Sequence, residues 1–327
     1  MTGSAAGPAA GAASPAAGGP RMTGSAAVPA AGLAAGPAAV PTAGGLPVTA
    51  TYIGTATVLL RIGELTILTD PAFDAAPADY PAARPLHRTA GPALTADRLP
   101  PIDLVLLSHD QHADNLDRTG REVLARAAHV LTTPEAAGRL GGRAEGLASW
   151  ESRTFTARFT AAPDRMGAAT GGTGAADPAT ATDRLGATVT VTATPARHGP
   201  EGTEQATGPV TGFVVQYPGG SLYLSGDTVR HDALKEIAER FPSLDVAFLH
   251  FGDAHFPSTG DLAFSLSATE GAALARTLGA RTVIPLHFDS WTHLAEDPNR
   301  ITAAFAADPA LAGRLRRLRP GLPERLA

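Results

Sequence analysis

Asp70, His109, His198, Asp227, His250 and His287 each stand at or just past the end of a short apolar or β-branched run: LTILTD, IDLVLLSH, VTVTATPARH, SLYLSGD, LDVAFLH and RTVIPLH. Runs of this length and composition read as strands that are at least half buried. A chain that stations its acids and imidazoles at strand ends gathers them where the loops of a sheet collect. Helical stretches separate the later runs, so a layered sheet-and-helix domain is expected rather than an all-α or all-β one.

The rest of the chain fills in that frame. VTATYIG, TVLLRIG and LTILTDP predict three short strands, antiparallel neighbours in one sheet. IDLVLLS (102–108) predicts a buried strand, and residues 117–127 a helix with Val123, Leu124 and Ala127 on its apolar face. HVLTTP (129–134) predicts a strand, and PEAAGRLGG a short helix closed by glycines. RTFTARF and TVTVTATPA are two more strands, and VTGFVVQYP and SLYLSGD form a hairpin turning at PGG. HDALKEIAERF is expected to be helical, LDVAFLHFG a strand, and SATEGAALARTLG a helix. Ser267 caps that last helix, with Glu270 placed three residues on for a capping box. RTVIPLHF is a strand, and the tail from Arg300 onward is expected to be mostly helical.

Residues 1–46 are Ala, Gly and Pro with almost no large side chain to bury, so a disordered tail is expected there. MTGSAA occurs at Met1 and again at Met22, so translation could start at either. Residues 162–185 are similarly low in complexity and predict a flexible insert within a domain spanning 47–327. The Gly-rich stretches match no phosphate-loop spacing and read as linkers.

Composition narrows the chemistry. The chain has no cysteine, which excludes disulfides, thiolate metal sites and a cysteine nucleophile. Any metal must be held by His, Asp, Glu and weaker oxygen donors. A net charge of −5 with scattered Lys and Arg argues against a nucleic-acid partner. No apolar run reaches the roughly 18 residues needed to span a bilayer, so no stable membrane insertion is expected. No signal peptide is read at the N-terminus, and the expected location is cytoplasmic.

SHDQHADNLD, residues 108–117, is the densest stretch of possible metal ligands. With the later strand-end residues it supplies what a two-metal site needs: imidazoles and carboxylates converging from several loops, one carboxylate placed to bridge. Together with GTATVLL (54–60), ILTDP (67–71), SGDT (225–228) and IPLHFDSW (284–291), the stretch resembles the metallo-β-lactamase-fold hydrolases. It looks most like the branch of ascorbate-phosphate lactonase-like and N-acylphosphatidylethanolamine phospholipase D-like proteins. The resemblance runs from about Val48 to Trp291 and implies an α+β domain, a four-layer αββα sandwich.

The family's usual cluster is H-x-H-x-D-H, and this chain departs from it. Carried over residue by residue, the resemblance implies His109, His198, Asp227 and His287 as metal ligands. Read with one inserted residue, His112 is the second histidine, Asp114 the aspartate, and Asn115 stands where the last histidine is expected. Without the insertion, Gln111 falls on the second histidine. An amide oxygen at Asn115 is a weaker donor than imidazole, so the second site would be weaker or suited to a more oxygen-tolerant ion. One or two divalent ions, zinc or manganese, are implied. The implied activity is hydrolysis of a small-molecule ester, lactone or phosphodiester by metal-activated water, with Asp114 orienting the nucleophile and taking its proton. Asp70 is expected behind a ligand, and His250, His255, Asp289 and His293 near the site, with His250 and His255 available to a leaving group or phosphate. The alternatives are a degenerate metal- or ligand-binding module of the same fold and, further off, a nuclease.

Overall fold

The computed structural model describes residues 46–81, 85–160 and 184–326. The expected tail over 1–46 and insert over 162–185, with both candidate start methionines, lie outside the described residues except for Leu46 and the backbone of 184–185.

Two sheets account for most strands among the described residues. The first runs, in spatial order, Pro323–Arg325, Val48–Gly54, Thr57–Ile62, Leu65–Thr69, Leu104–Leu106, His129–Thr132 and Ala144–Gly146. It is antiparallel up to Leu65–Thr69 and parallel from there on. The second runs Thr282–Leu286, Val246–His250, Gly220–Leu224, Thr211–Tyr217, Arg184–Pro195 and Ser152–Thr160. Its first three strands are parallel and the rest antiparallel.

Side-chain parity along single strands shows how the layers stack, because alternate residues of a strand face opposite sides. In Val246–His250, Val246 and Phe248 join a core shared with the first sheet, through Leu60, Ile67 and Leu104. Ala247 and Leu249 face the other way, against Leu274, Leu278, Ile301 and Phe305 of the helices Ala268–Leu278 and Pro298–Ala307. In the first sheet, Leu104 and Leu106 point into the shared core, while Val105 and Leu107 meet Val123 and Leu124 of the helix Arg118–Arg126. Helix, sheet, sheet, helix is the order, so the expected αββα sandwich is the observed one. The three predicted N-terminal strands are antiparallel neighbours. The Ser267 capping box forms, with Glu270 reaching back to the cap.

Two expectations need correction. HDALKEIAERF is not one helix: a 3₁₀ turn, Asp232–Leu234, leads into Lys235–Arg240. The tail is helical only over Pro298–Ala307 and in a short 3₁₀ turn, Pro309–Leu311. Pro309, Gly313, Pro320 and Gly321 break any longer helix. Pro323–Arg325 then pairs with Val48–Gly54 as an edge strand, where a proline is tolerated.

This topology places the site. Parallel strands share a direction, so their C-terminal ends open on one edge of each sheet. Leu65–Thr69 and Leu104–Leu106 deliver Asp70 and His109 from the first sheet. Gly220–Leu224, Val246–His250 and Thr282–Leu286 deliver Asp227, His250 and His287 from the second.

Candidate metal centre

His109, His112 and His198 converge, each offering a ring nitrogen within 4.8 Å of the others. His112 Nδ1 lies 3.0 Å from both His109 Nε2 and His198 Nε2. His112, not Gln111, is therefore the histidine-loop residue that meets the other two rings; the Gln111 amide turns away toward the Pro209 carbonyl. His198 Nδ1 donates to the Phe264 carbonyl at 2.6 Å, which fixes the tautomer and leaves the Nε2 lone pair free for the site.

Asp227, His250 and His287 form a second such group, also within 4.8 Å. Asp227 faces both groups with one oxygen: Oδ2 is 3.8 Å from His109 Nε2, 3.8 Å from His198 Nε2 and 3.4 Å from His287 Nε2. Its other oxygen, Oδ1, accepts from His250 Nδ1 at 2.7 Å. Asp114 closes the second group, with Oδ2 3.0 Å from His287 Nε2 and 3.0 Å from His293 Nε2.

Glycine makes this approach possible at two points. Gly226 has φ +60°, and a Cβ there would sit 2.7 Å from the Thr211 carbonyl oxygen and 3.0 Å from Ser108 Cβ. A Cβ on Gly252 would lie 2.8 Å from His287 Nδ1. His287 and Asp70 themselves adopt left-handed backbone angles, φ 58° and 31°, which are uncommon for residues with side chains and gather at functional sites.

Burial and charge set the protonation states. Burial, reinforced by His112, holds His109 well below the usual histidine range. Burial and the neighbouring His198 bring His112 down to about 4, and burial also lowers His198. All three are thus neutral near pH 7, the form in which imidazole binds a metal. Burial works against charge on Asp114 and Asp227, but the facing imidazoles outweigh it and lower both carboxyls. His287 is opposed by burial yet pushed up to about 9 by Asp227 and Asp114. Burial raises Asp70 to about 7, against the Ser108 N–H that it accepts at 2.6 Å and with Asp227 adding to the shift.

The donor set fits a divalent cation. His109, His198 and His287 all face Asp227 Oδ2, neutral His112 meets the first two rings, and a second carboxylate, Asp114, meets His287. The Nδ1 atoms of His287 and His293 are buried without a hydrogen-bond partner, so both rings present Nε2 as the polar atom turned to the site.

The remaining expected residues divide clearly. Asn115 is fully buried and stands against both carboxylates; with its amide nitrogen toward them it donates to Asp114 Oδ1 at 3.3 Å and Asp227 Oδ2 at 3.1 Å. Asp289 ties two loops together, accepting from Tyr52 Oη at 2.8 Å and from the Thr55 N–H at 3.1 Å. His255 pairs with Asp253 at 3.1 Å and does not line the cavity over the site.

That cavity has a volume of about 230 Å³, with His112, Asp114, His198, Asp227, His287 and His293 at its base. Tyr80, Leu86, Phe256 and Phe264 are among its walls, and no Lys or Arg is among the described residues that line it.

Residues 66–288 match a family model described as a β-lactamase superfamily domain. The chain belongs to the metallo-β-lactamase-fold hydrolase superfamily. Within that superfamily it is 32% identical over 138 residues to a UPF0173 metal-dependent hydrolase of Pelotomaculum thermopropionicum, covering 41% of this chain and 55% of the relative. It is 30% identical over 104 residues to a UPF0173 metal-dependent hydrolase of Pyrococcus abyssi, covering 32% and 42%. The chain spans about half the length of the curated relatives it matches. Among solved structures, an isothiocyanate hydrolase from Delia radicum gut bacteria superposes with a TM-score of 0.64 at 18% identity, covering 84% of this chain and 98% of that one. A possible metal-dependent hydrolase from Veillonella parvula gives 0.65 at 16% identity, covering 85% and 99%. Likeness at these identities establishes the superfamily's fold and no more.

The cavity walls had no readable signal in the sequence. Tyr80 and Leu86 come from the short hairpin Ala78–Tyr80/Leu86–Arg88, and Phe256 and Phe264 flank a loop. An aromatic residue in a loop looks the same whether it lines a pocket or packs on a surface.

Proposed function

We propose that this chain is a metal-dependent hydrolase acting on a small, uncharged, largely apolar substrate with an ester-, lactone- or similarly electrophilic carbon. The observation that carries this reading is the placement of two convergent His/Asp groups at the base of a small, aromatic-walled cavity with no Lys or Arg among its described lining residues. Its volume falls below the roughly 300–1,000 Å³ of drug-sized ligand sites, which favours a small substrate. With no Lys or Arg among the described lining residues, a phosphodiester finds neither an ammonium nor a guanidinium partner there, so neutral electrophiles fit better. The isothiocyanates named for the structural neighbour are of this neutral class.

His109, His112 and His198 would hold one ion, and Asp114, Asp227 and His287 a second. The imidazole-rich group suits zinc, and the carboxylate-rich group also accommodates manganese. A divalent ion supplies Lewis acidity there, bringing the pKa of water from about 15.7 toward roughly 7. Asp114, held ionised, orients the attacking water; its low basicity suits orientation better than storage of the proton. Asp227 keeps the two groups in register through Oδ2, and His250 fixes that carboxylate through Oδ1. Phe256 and Phe264 exclude bulk water from the reacting carbon.

A panel of neutral esters, lactones and isothiocyanates, assayed against phosphodiesters with metal-loaded protein, tests this reading. Turnover is expected on the neutral panel and lost in His109→Ala and Asp227→Ala. Turnover confined to phosphodiesters would overturn the substrate class. A stable metal complex that turns over nothing would favour the binding-module alternative that Asn115 motivates.

A further inference from the structure

At position 115, where the related motif carries histidine, this chain has Asn, whose amide lies 3.3 Å from Asp114 Oδ1 and 3.1 Å from Asp227 Oδ2 and brings no imidazole. We propose that His293, from the loop after Thr282–Leu286, replaces that missing imidazole and completes the second ion's site with Asp114, Asp227 and His287. The proposal rests on the hydrolase reading above and names a ligand outside the groups already described.

Three features of His293 support it. Its Nε2 lies 3.0 Å from Asp114 Oδ2, the same oxygen that His287 Nε2 meets at 3.0 Å. Two imidazoles directed at one carboxylate oxygen are more than a single structural hydrogen bond requires, and a shared cation accounts for both. The ring is also preorganised. It stacks on Phe256 at 5.4 Å and 10°, meets the edge of Trp291 at 6.1 Å, and its backbone carbonyl accepts from the His255 N–H at 3.0 Å. Its side chain is 7% exposed, and Nδ1 has no partner, so Nε2 is the nitrogen committed to the site. Rigid support of this kind is what a ligand needs and a loosely tethered surface histidine lacks.

His250 is the competing candidate, since it groups with Asp227 and His287. Its Nδ1, however, is engaged by Asp227 Oδ1, the oxygen opposite the one that faces His109, His198 and His287. That geometry makes His250 the residue that aims the carboxylate.

The test counts ions without relying on catalysis. Chelator-stripped wild type, His293→Ala, His293→Gln and His250→Gln are titrated with Zn²⁺, and bound zinc is measured by elemental analysis after gel filtration, with circular dichroism confirming the fold. Wild type is expected to bind about two ions per chain, and His250→Gln, which loses the ring that aims Asp227 but keeps an amide donor for its Oδ1, to weaken the second ion less than the His293 variants do. Both His293 variants are expected to bind about one, or to weaken the second by at least about tenfold. Gln keeps a hydrogen-bond donor for Asp114, so a merely structural role for His293 would leave His293→Gln at two ions within about twofold of wild-type affinity. That result overturns the proposal, as does loss of the second ion from His250→Gln while the His293 variants keep it. A wild type that binds one ion, unaffected by His293 substitution, overturns the proposal but leaves the hydrolase reading standing. A wild type that binds none removes both.

Discussion

Asp74 sits beside the cavity wall, and its surroundings give it a defined pH signature. Oδ1 accepts from the Thr119 N–H at 3.0 Å and from Thr119 Oγ1 at 2.6 Å, and Oδ2 accepts from Tyr80 Oη at 2.9 Å. Burial alone would raise the Asp74 pKa, but these donors and nearby Arg118 outweigh it and lower it. A depressed carboxyl contributes stability that is present above the unfolded value of about 3.9 and is lost as pH falls through the folded value. Asp74→Asn should therefore lower stability by on the order of 2 kcal/mol at pH 7, with the gap to wild type narrowing below pH about 4. Urea melts at pH 7 and pH 3 measure both gaps, and equal gaps would show that the ionised form has no special role. Reading single residues from sequence succeeded where chemistry and position coincide. His109, His198, Asp227 and His287 end apolar runs, and each reaches the centre. His112 was legible once a one-residue bulge was allowed, because only that register keeps three potential ligands in the cluster. His293 was visible only as a histidine near the site, because its role depends on a carboxylate 179 positions away. Asn115 was placed in the centre but not in its geometry, since a sequence does not reveal which way an amide points.

The element most exposed to single substitutions is the hairpin Ala78–Tyr80/Leu86–Arg88, which carries Tyr80 and Leu86 over the site. Arg88 anchors it: Nη1 donates to Asp117 Oδ2 at 2.8 Å, Nη2 to the Ala72 carbonyl at 3.0 Å and Nε to the Ala90 carbonyl at 3.0 Å. Both side chains of the Arg88–Asp117 pair are fully buried, and Asp117 also caps the helix Arg118–Arg126 through the Gly120 N–H. Removing one partner leaves the other charge buried and unpaired, so Arg88→Ala should destabilise by about 3–5 kcal/mol. Arg88→Ala/Asp117→Asn should lose less than the sum of the singles; an additive double mutant, by denaturant melts, would deny the coupling. At Ser267, where the cap was readable from its Glu three residues on, Ser267→Ala should lower stability by about 1 kcal/mol. A drop below about 0.3 kcal/mol would mean that Glu270 or water replaces the cap. Most longer strands and the helices Arg118–Arg126 and Ala268–Leu278 were legible because each carries a period or a cap of its own. The three-residue strands of this hairpin and Pro323–Arg325 were not, because three residues hold no period and their pairing partners are distant in sequence.

Across the whole molecule, the two sheets meet through their shared apolar core and again at the candidate centre. His109, His112 and Asp114 follow a strand of the first sheet, whereas His198, Asp227 and His287 follow strands of the second. Unfolding separates these donors, so an ion held by both sets binds the native state and not the unfolded chain. Such binding stabilises by about 2.7 kcal/mol when free metal stands at 100 times its Kd. For a folded region of this size each kcal/mol shifts Tm by roughly 2–4 °C, so stripping the metal should lower Tm by about 5–10 °C. Without the ion, buried Asp114 and Asp227 are left with His287 as the cation that faces them both. Differential scanning calorimetry before and after chelation, with ion content checked on the same samples, measures the shift, and added Zn²⁺ should reverse it. His109→Ala, with one histidine group incomplete, should show a smaller chelator effect than wild type. An unchanged Tm in wild-type samples proven to have lost their ions would mean that the apolar core alone holds the sheets together, and that the centre adds nothing to their docking.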